Sequence, residues 1–324
     1  MRGDMLTGLA ERAEPLSRSV AFPDALDVRT LRAAVILASE KILRPVLVGP
    51  SDRIRFLASA QNVRLDGVAI EDPRDSSHRS RVEKEFASIE GKKSGSGEAP
   101  GPENPLIFAG MMVRSGLVHG SVAGSLSTTP DVIRAALRTI GLRPGVKKVS
   151  SYFLMIFPDR VMSFADCGVL PDPGDADLAE IAGLAADNYR LITGVQPVVA
   201  FLSFSTKGSA GHPMVDKVRS AAALFRALRP GIESDGELQL DAAIIPEVAR
   251  LKAPGSAAAG KANVLVFPDL NAGNIAYKLA QRFGGAVALG PILQGLAKPA
   301  FDLSRGCSVE DIVHVATINA LTSE

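Results

Sequence analysis

Apolar positions in this chain alternate between helical spacing and the unbroken runs of buried strands. Val28, Leu31, Val35, Ala38 and Ile42 share one helical face, which Arg44 and Pro45 should end. Pro45-Val46-Leu47-Val48-Gly49 reads as a short buried strand, Ser51-Asp52-Arg53 opens another helix, and Val68-Ala69-Ile70 is a second strand. Helix alternating with strand predicts a parallel α/β sheet. Residues 91–104 are rich in Gly, Ser and Pro and predict a surface loop. An apolar stretch, Leu106 to Val113, and a candidate strand, Ser121 to Gly124, follow. Thr129 then has the character of an N-cap, Pro130 of the first helical position and Asp131 of a first-turn acid. Val132, Ile133, Ala136, Leu137 and Ile140 supply the buried face.

The texture changes near Gly141 to Gly145, which places a domain boundary near 146–150. Val149 to Phe157 and Val161 to Ala165 read as neighbouring strands, and further strand-like runs occupy 197–204, 263–267 and 286–289. Helical patterns cover 177–190, 213–229 and 272–283, with a last helix near 309–322. No internal repeat is evident.

Composition narrows the function. The 324 residues are 46% hydrophobic and 22% charged, enough for a real core. A net charge of +1 gives no global field toward nucleic acid or an anionic membrane, so any bound anion must be held by local geometry. No apolar run reaches the roughly 18 residues of a membrane helix, and residues 1–20 lack the apolar core of a signal peptide. The two cysteines, Cys167 and Cys307, have neither zinc nor disulfide-framework spacing, which suits a reducing cytosol. The four histidines are scattered, so no metal centre is expected.

Three segments could carry chemistry. In Leu202-Ser203-Phe204-Ser205-Thr206-Lys207-Gly208-Ser209-Ala210 a strand opens into a loop of hydroxyls before a helix. Such a loop can offer N–H groups to an anion, or simply be a polar turn; it lacks Walker A spacing. Phe267-Pro268-Asp269-Leu270-Asn271-Ala272-Gly273-Asn274 ends a strand where ligands of open sheets gather, and is equally a turn that caps a helix. Ser304-Arg305-Gly306-Cys307-Ser308-Val309-Glu310-Asp311 contains a capping box, Ser308 with Asp311. It could also hold an anion on Arg305 and pass a proton to Asp311. Cys167 and Cys307 fit small buried side chains better than nucleophiles.

Taken together and in order, these segments resemble the phosphate acetyltransferase (phosphotransacetylase) family, within the broader phosphate acetyl/butyryltransferase group. The similar strings also include Gly110-Met111-Met112-Val113, Val149-Ser150-Ser151, Phe164-Ala165-Asp166-Cys167, Asp235-Gly236-Glu237-Leu238-Gln239, Lys252-Ala253-Pro254 and Gly290-Pro291-Ile292-Leu293-Gln294-Gly295-Leu296. They span about 105–320. The resemblance implies two α/β/α domains with an interdomain cleft, in the build of isocitrate and isopropylmalate dehydrogenases. Residues 1–148 with 301–324 would form the first and 149–300 an inserted second. It implies a homodimer, no metal, no cofactor, and reversible acetyl transfer between coenzyme A and phosphate; the cysteine usage above places the chain in the cytoplasm. It further implies Asp311 as base toward the thiol, Ser304 as oxyanion donor and Arg305 as the phosphate fork. Substrate-binding roles fall on Arg134, Ser205, Thr206, Lys207, Gly208, Ser209, Cys167, Asn271 and Asn274.

The chain departs from the family in two places. An arginine usual before the Gly-Met-Met-Val helix is absent from Phe86 to Lys93, leaving Lys92 or Lys93, and His119 stands where the family has Asp. The departures leave room for another acyl group, such as butyryl, or for a non-catalytic paralogue. The absence of a dinucleotide fingerprint weighs against a dehydrogenase.

Overall fold

The computed structural model describes residues 2–90 and 100–323. Most of the expected 91–104 loop, Lys92 and Lys93 included, lies outside the described residues. The strands are β1 (Ser19–Phe22), β2 (Arg44–Val48), β3 (Ala69–Glu71), β4 (Gly120–Ala123), β5 (Ser150–Ile156), β6 (Val161–Ala165), β7 (Val198–Leu202), β8 (Glu233–Leu238), β9 (Val264–Val266), β10 (Val287–Gln294) and β11 (Ala300–Asp302). Two compact units result. One holds Gly3–Gly145 and residues from Leu296 onward; the other is Val146–Gly295. The joins fall a few residues before the 148/149 and 300/301 positions expected from the sequence.

The first unit carries a five-stranded parallel sheet in the order β11-β4-β1-β2-β3. β1 and β4 are buried at every position, the pattern of a strand covered on both faces. The chain runs outward from β1 to β2 and β3 and then returns to β4 on the other side of β1. The strand order therefore reverses between β1 and β4, and at such a point the carboxyl-end loops diverge and leave a crevice for ligands. The helix Val28–Ser39 covers the sheet with Leu31, Ala34 and Leu37, a stripe rotated from the one expected; Val28, Val35 and Ala38 are only half-buried. It stops at Ser39 because Lys41 takes a left-handed conformation, so Ile42 lies beyond it and Arg44 and Pro45 already belong to β2. The final helix, Val309–Thr322, packs on Val28–Ser39 and β4, with Asn319 donating to the Ser121 carbonyl at 3.0 Å.

The second unit carries six strands in the order β10-β5-β6-β9-β7-β8. It is mixed: β10, β5 and β6 pair antiparallel, with β5 and β6 neighbours as expected, while β6, β9, β7 and β8 run parallel. The cause is the short connection Phe157–Arg160, which joins β5 to β6 as a hairpin; only longer crossovers give parallel neighbours. Its core includes Phe153, Met155, Phe164, Leu202, Leu265 and Phe267.

Candidate functional site

In the first unit three loops meet at the carboxyl ends of adjacent strands. After β1, Asp24 is buried and accepts from the backbone N–H groups of Gly124 (2.7 Å), Leu126 (3.1 Å) and Ser127 (3.2 Å) and from Ser127 Oγ (2.6 Å). This fixes the loop after β4. A little further on, Asp27 caps the helix Val28–Ser39 and holds Arg29 at 2.6 Å. The Arg29 guanidinium then donates to three carbonyls: Ser125 (2.9 Å), Arg305 (2.9 Å) and Cys307 (2.8 Å). One forked cation thereby ties the loops after β1, β4 and β11.

The segment so held is the one expected to carry chemistry. Ser304 and Arg305 are exposed, and the Gly306 N–H reaches Ser304 Oγ at 3.3 Å. Asp311 is half-buried on the first turn of the last helix. The capping box forms: Ser308 N–H donates to Asp311 Oδ2 (2.9 Å), and Asp311 N–H donates to Ser308 Oγ (3.0 Å). Oδ2 is thus engaged by the cap. Cys307 is buried, which pushes its thiol up to about 11, so it is a poor nucleophile.

Arg134 is exposed on the helix Thr129–Thr139 and pairs with Asp131. The cap of that helix is Thr128, not Thr129 as expected. Thr128 has the extended backbone of a cap, and its Oγ1 accepts from Asp131 N–H. Thr129 is the first helical residue, and its hydroxyl points elsewhere, donating to Asp302 Oδ2 at 2.5 Å.

The remaining expected residues lie in the second unit, at the carboxyl ends of β6, β9 and β7. Cys167 is buried, and burial raises its thiol well above the ordinary value. Asn274 Nδ2 donates to the Cys167 carbonyl (3.1 Å), and Asn271 is exposed one position into the helix Leu270–Arg282, capped by Asp269. The hydroxyl loop after β7 is internally satisfied. Glu237 Oε1 accepts from Ser205 Oγ (3.1 Å) and the Gly208 N–H (2.7 Å). Lys207 pairs with Asp235 (2.6 Å), and the Gln239 N–H reaches Thr206 Oγ1 (2.9 Å). Burial would raise Glu237, but the Arg219 guanidinium and the Gly208 N–H outweigh it and hold the carboxyl below its usual range. A side-chain anion therefore occupies the cradle. The next helix begins only at Pro213, capped by His212, so the loop is not itself a helix N-terminus.

His119 sits at the amino end of β4, opposite the end that carries the loops. Its Nδ1 accepts from the Ser19 N–H at 3.1 Å. Burial, aided by Arg18 and Arg44, lowers its pKa, which makes it a neutral strand-end side chain. Among the described residues no group of three or more His, Cys, Asp or Glu could hold a metal ion, and no helix is long and apolar enough to cross a membrane.

Sequence reasoning missed Arg29, Asp24 and Asp302. Each works by joining loops distant in the chain, and no local motif announces such a contact.

Loops gathered at a strand-order reversal, with a hydroxyl, a guanidinium and a carboxyl on one tail segment, are the arrangement in which open α/β sheets bind ligands. Residues 4–320 match the phosphate acetyl/butaryl transferase family. A phosphate acetyltransferase from Clostridium acetobutylicum is 44% identical over 329 residues, covering 99% of each chain. The crystal structure of a phosphotransacetylase from Streptococcus pyogenes superposes with a TM-score of 0.92 at 40% identity, covering 99% of this chain and 98% of that one. At 13% identity and a TM-score of 0.55, 4-hydroxythreonine-4-phosphate dehydrogenase from Klebsiella pneumoniae, with 95% of this chain and 99% of its own covered, shares the fold alone. The chain belongs to the phosphate acetyl/butaryl transferase family, and its activity is that of a phosphate acetyltransferase, an acyltransferase.

Proposed function

We propose that the chain moves an acetyl group reversibly between coenzyme A and inorganic phosphate, with the chemistry on the segment Ser304–Asp311. The observation that carries this reading is the anchoring of that segment by Arg29 beside the β1/β4 reversal, with Ser304 and Arg305 left exposed. Asp311 takes the proton of the thiol as sulfur attacks the acetyl carbon, through the oxygen that the cap leaves free. Ser304 donates to the developing oxyanion. The C–O bond to phosphate then breaks, and Arg305 receives the leaving phosphate with two parallel N–H donors. Both substrates are present together, so proximity supplies much of the rate.

Arg134, Cys167, Asn271, Asn274 and the Ser205–Ser209 loop are assigned to substrate binding. For the loop, a substrate anion would have to exchange with Glu237. No resident metal or cofactor is required. Two free, buried cysteines support work in the cytoplasm. The chain works as a homodimer. Support comes from the helix Leu270–Arg282, where Ile275 and Leu279, followed by Phe283 just past its end, form an exposed apolar stripe (58%, 50% and 86%).

A thiol assay with acetyl, propionyl and butyryl phosphate tests the function. Loss of free thiol should be fastest with acetyl, by about 1–3 kcal/mol in kcat/KM for each added methylene. No thiol loss with any donor overturns the reading.

A further inference from the structure

We propose that Asp302 is a positioning residue for acetyl transfer: by accepting the Thr129 hydroxyl at the end of β11, it anchors the root of the Ser304–Arg305 loop to the first turn of the helix that carries Arg134. This rests on the reading of Ser304 and Arg305 given above. Asp302 is fully buried, yet it is an acid in a place where a strand end could hold any apolar residue. Its Oδ2 takes the Thr129 Oγ1–H at 2.5 Å, while its Oδ1 is buried with no hydrogen-bond partner. A buried polar atom left unpaired is costly, so it is retained where position matters more than stability.

The surroundings fix this side chain tightly. Asp302 pairs in register with Ala123, and the next residue across the sheet is Gly124. Gly124 has φ of +105°, and a Cβ there would collide with Asp302 Oδ1 and the Leu303 backbone. The same glycine donates its N–H to Asp24. The carboxyl is therefore clamped between Gly124 and Thr129, and only Leu303 separates it from Ser304. The Arg29 tie grips the loop from its far side, at the Arg305 and Cys307 carbonyls. The two anchors bracket Ser304 and Arg305, both of which are exposed. A shift at the root would move both groups away from phosphate, and an error of about 1 Å can cost about 100-fold.

The test uses the full chain with Thr129→Val, Thr129→Ser, Asp302→Ala and the double variant Asp302→Ala/Thr129→Val, assayed in the phosphate-dependent direction. Thr129→Val keeps the shape and removes the donor. It should lower kcat/KM for phosphate about 10- to 100-fold, chiefly by raising KM, with an unchanged far-UV spectrum. Thr129→Ser should recover activity to within about threefold. The double variant should be no worse than Asp302→Ala, because the two residues act through one bond. A Thr129→Val enzyme with the phosphate KM of the parent, or effects that multiply in the double variant, overturns the proposal. Absence of acetyl transfer in the parent chain would instead overturn the functional reading beneath it.

Discussion

A carboxyl group serves three different ends here, according to its surroundings. Asp311 shares its role with a helix cap, Glu237 fills a cradle that could suit an anion, and Asp302 is buried with one oxygen unpaired. Asp311→Asn keeps an oxygen for the Ser308 N–H but cannot take a proton. Turnover should fall by about 10²–10⁴-fold while the melting temperature stays nearly constant. An unchanged kcat in steady-state assays would remove Asp311 from the mechanism. For Asp302, desolvation raises the pKa to about 7, aided by Asp24 and opposed chiefly by the Thr129 hydroxyl. In the unfolded chain an aspartate releases its proton near pH 4. Between about pH 4 and 7 the folded state therefore holds a proton that the unfolded state lacks, and stability falls as pH rises through that window. Asp302→Asn removes the effect. Its stability relative to the parent should improve by a few kcal/mol, on the order of 3, between pH 4.5 and 8. Denaturant unfolding at both pH values checks this; a difference that does not change with pH contradicts it.

At the scale of elements, the sequence is most readable where one local rule decides. The first-turn acid and serine announced the capping box at Ser308 and Asp311, which the last helix contains. Ser308→Ala should cost about 1 kcal/mol in chemical denaturation, the usual worth of an N-cap, and a loss near zero would show the cap to be idle. The helices near 213–229 and 309–322 were legible because their apolar faces repeat with the helical period. Other elements were hidden. β8 reads Glu-Ser-Asp-Gly-Glu-Leu, and nothing in that string suggests burial. Pairing with β7 makes it a strand, and its buried acids are tolerated because Lys207 and Arg226 neutralise Asp235 and Arg219 neutralises Glu237. β11 has only three residues, too few for a period, and is fixed by pairing with β4. Thr128 and Thr129 are chemically alike, so the choice of cap was settled by Asp302, an acid 173 residues away.

Over the whole molecule, the candidate residues were legible as types and as a family pattern. The scaffolding that holds them was not, because Arg29 gathers carbonyls from two other loops, the farther of them 278 residues away in sequence. The apolar stripe of Ile275, Leu279 and Phe283 gives a prediction at this scale. If the proposed dimer forms, Leu279→Glu with Phe283→Glu should convert it to a monomer in sedimentation analysis, and a parent chain already monomeric at micromolar concentration would contradict the proposed assembly. The most direct trial of the account is the initial rate of acetyl-coenzyme A formation from acetyl phosphate and coenzyme A, compared between the parent chain and Arg305→Ala. The account predicts rapid turnover in the parent and, in the variant, a loss of at least about 100-fold with the fold retained. Equal rates in the two proteins would contradict it, because the tail segment would then have no part in handling phosphate.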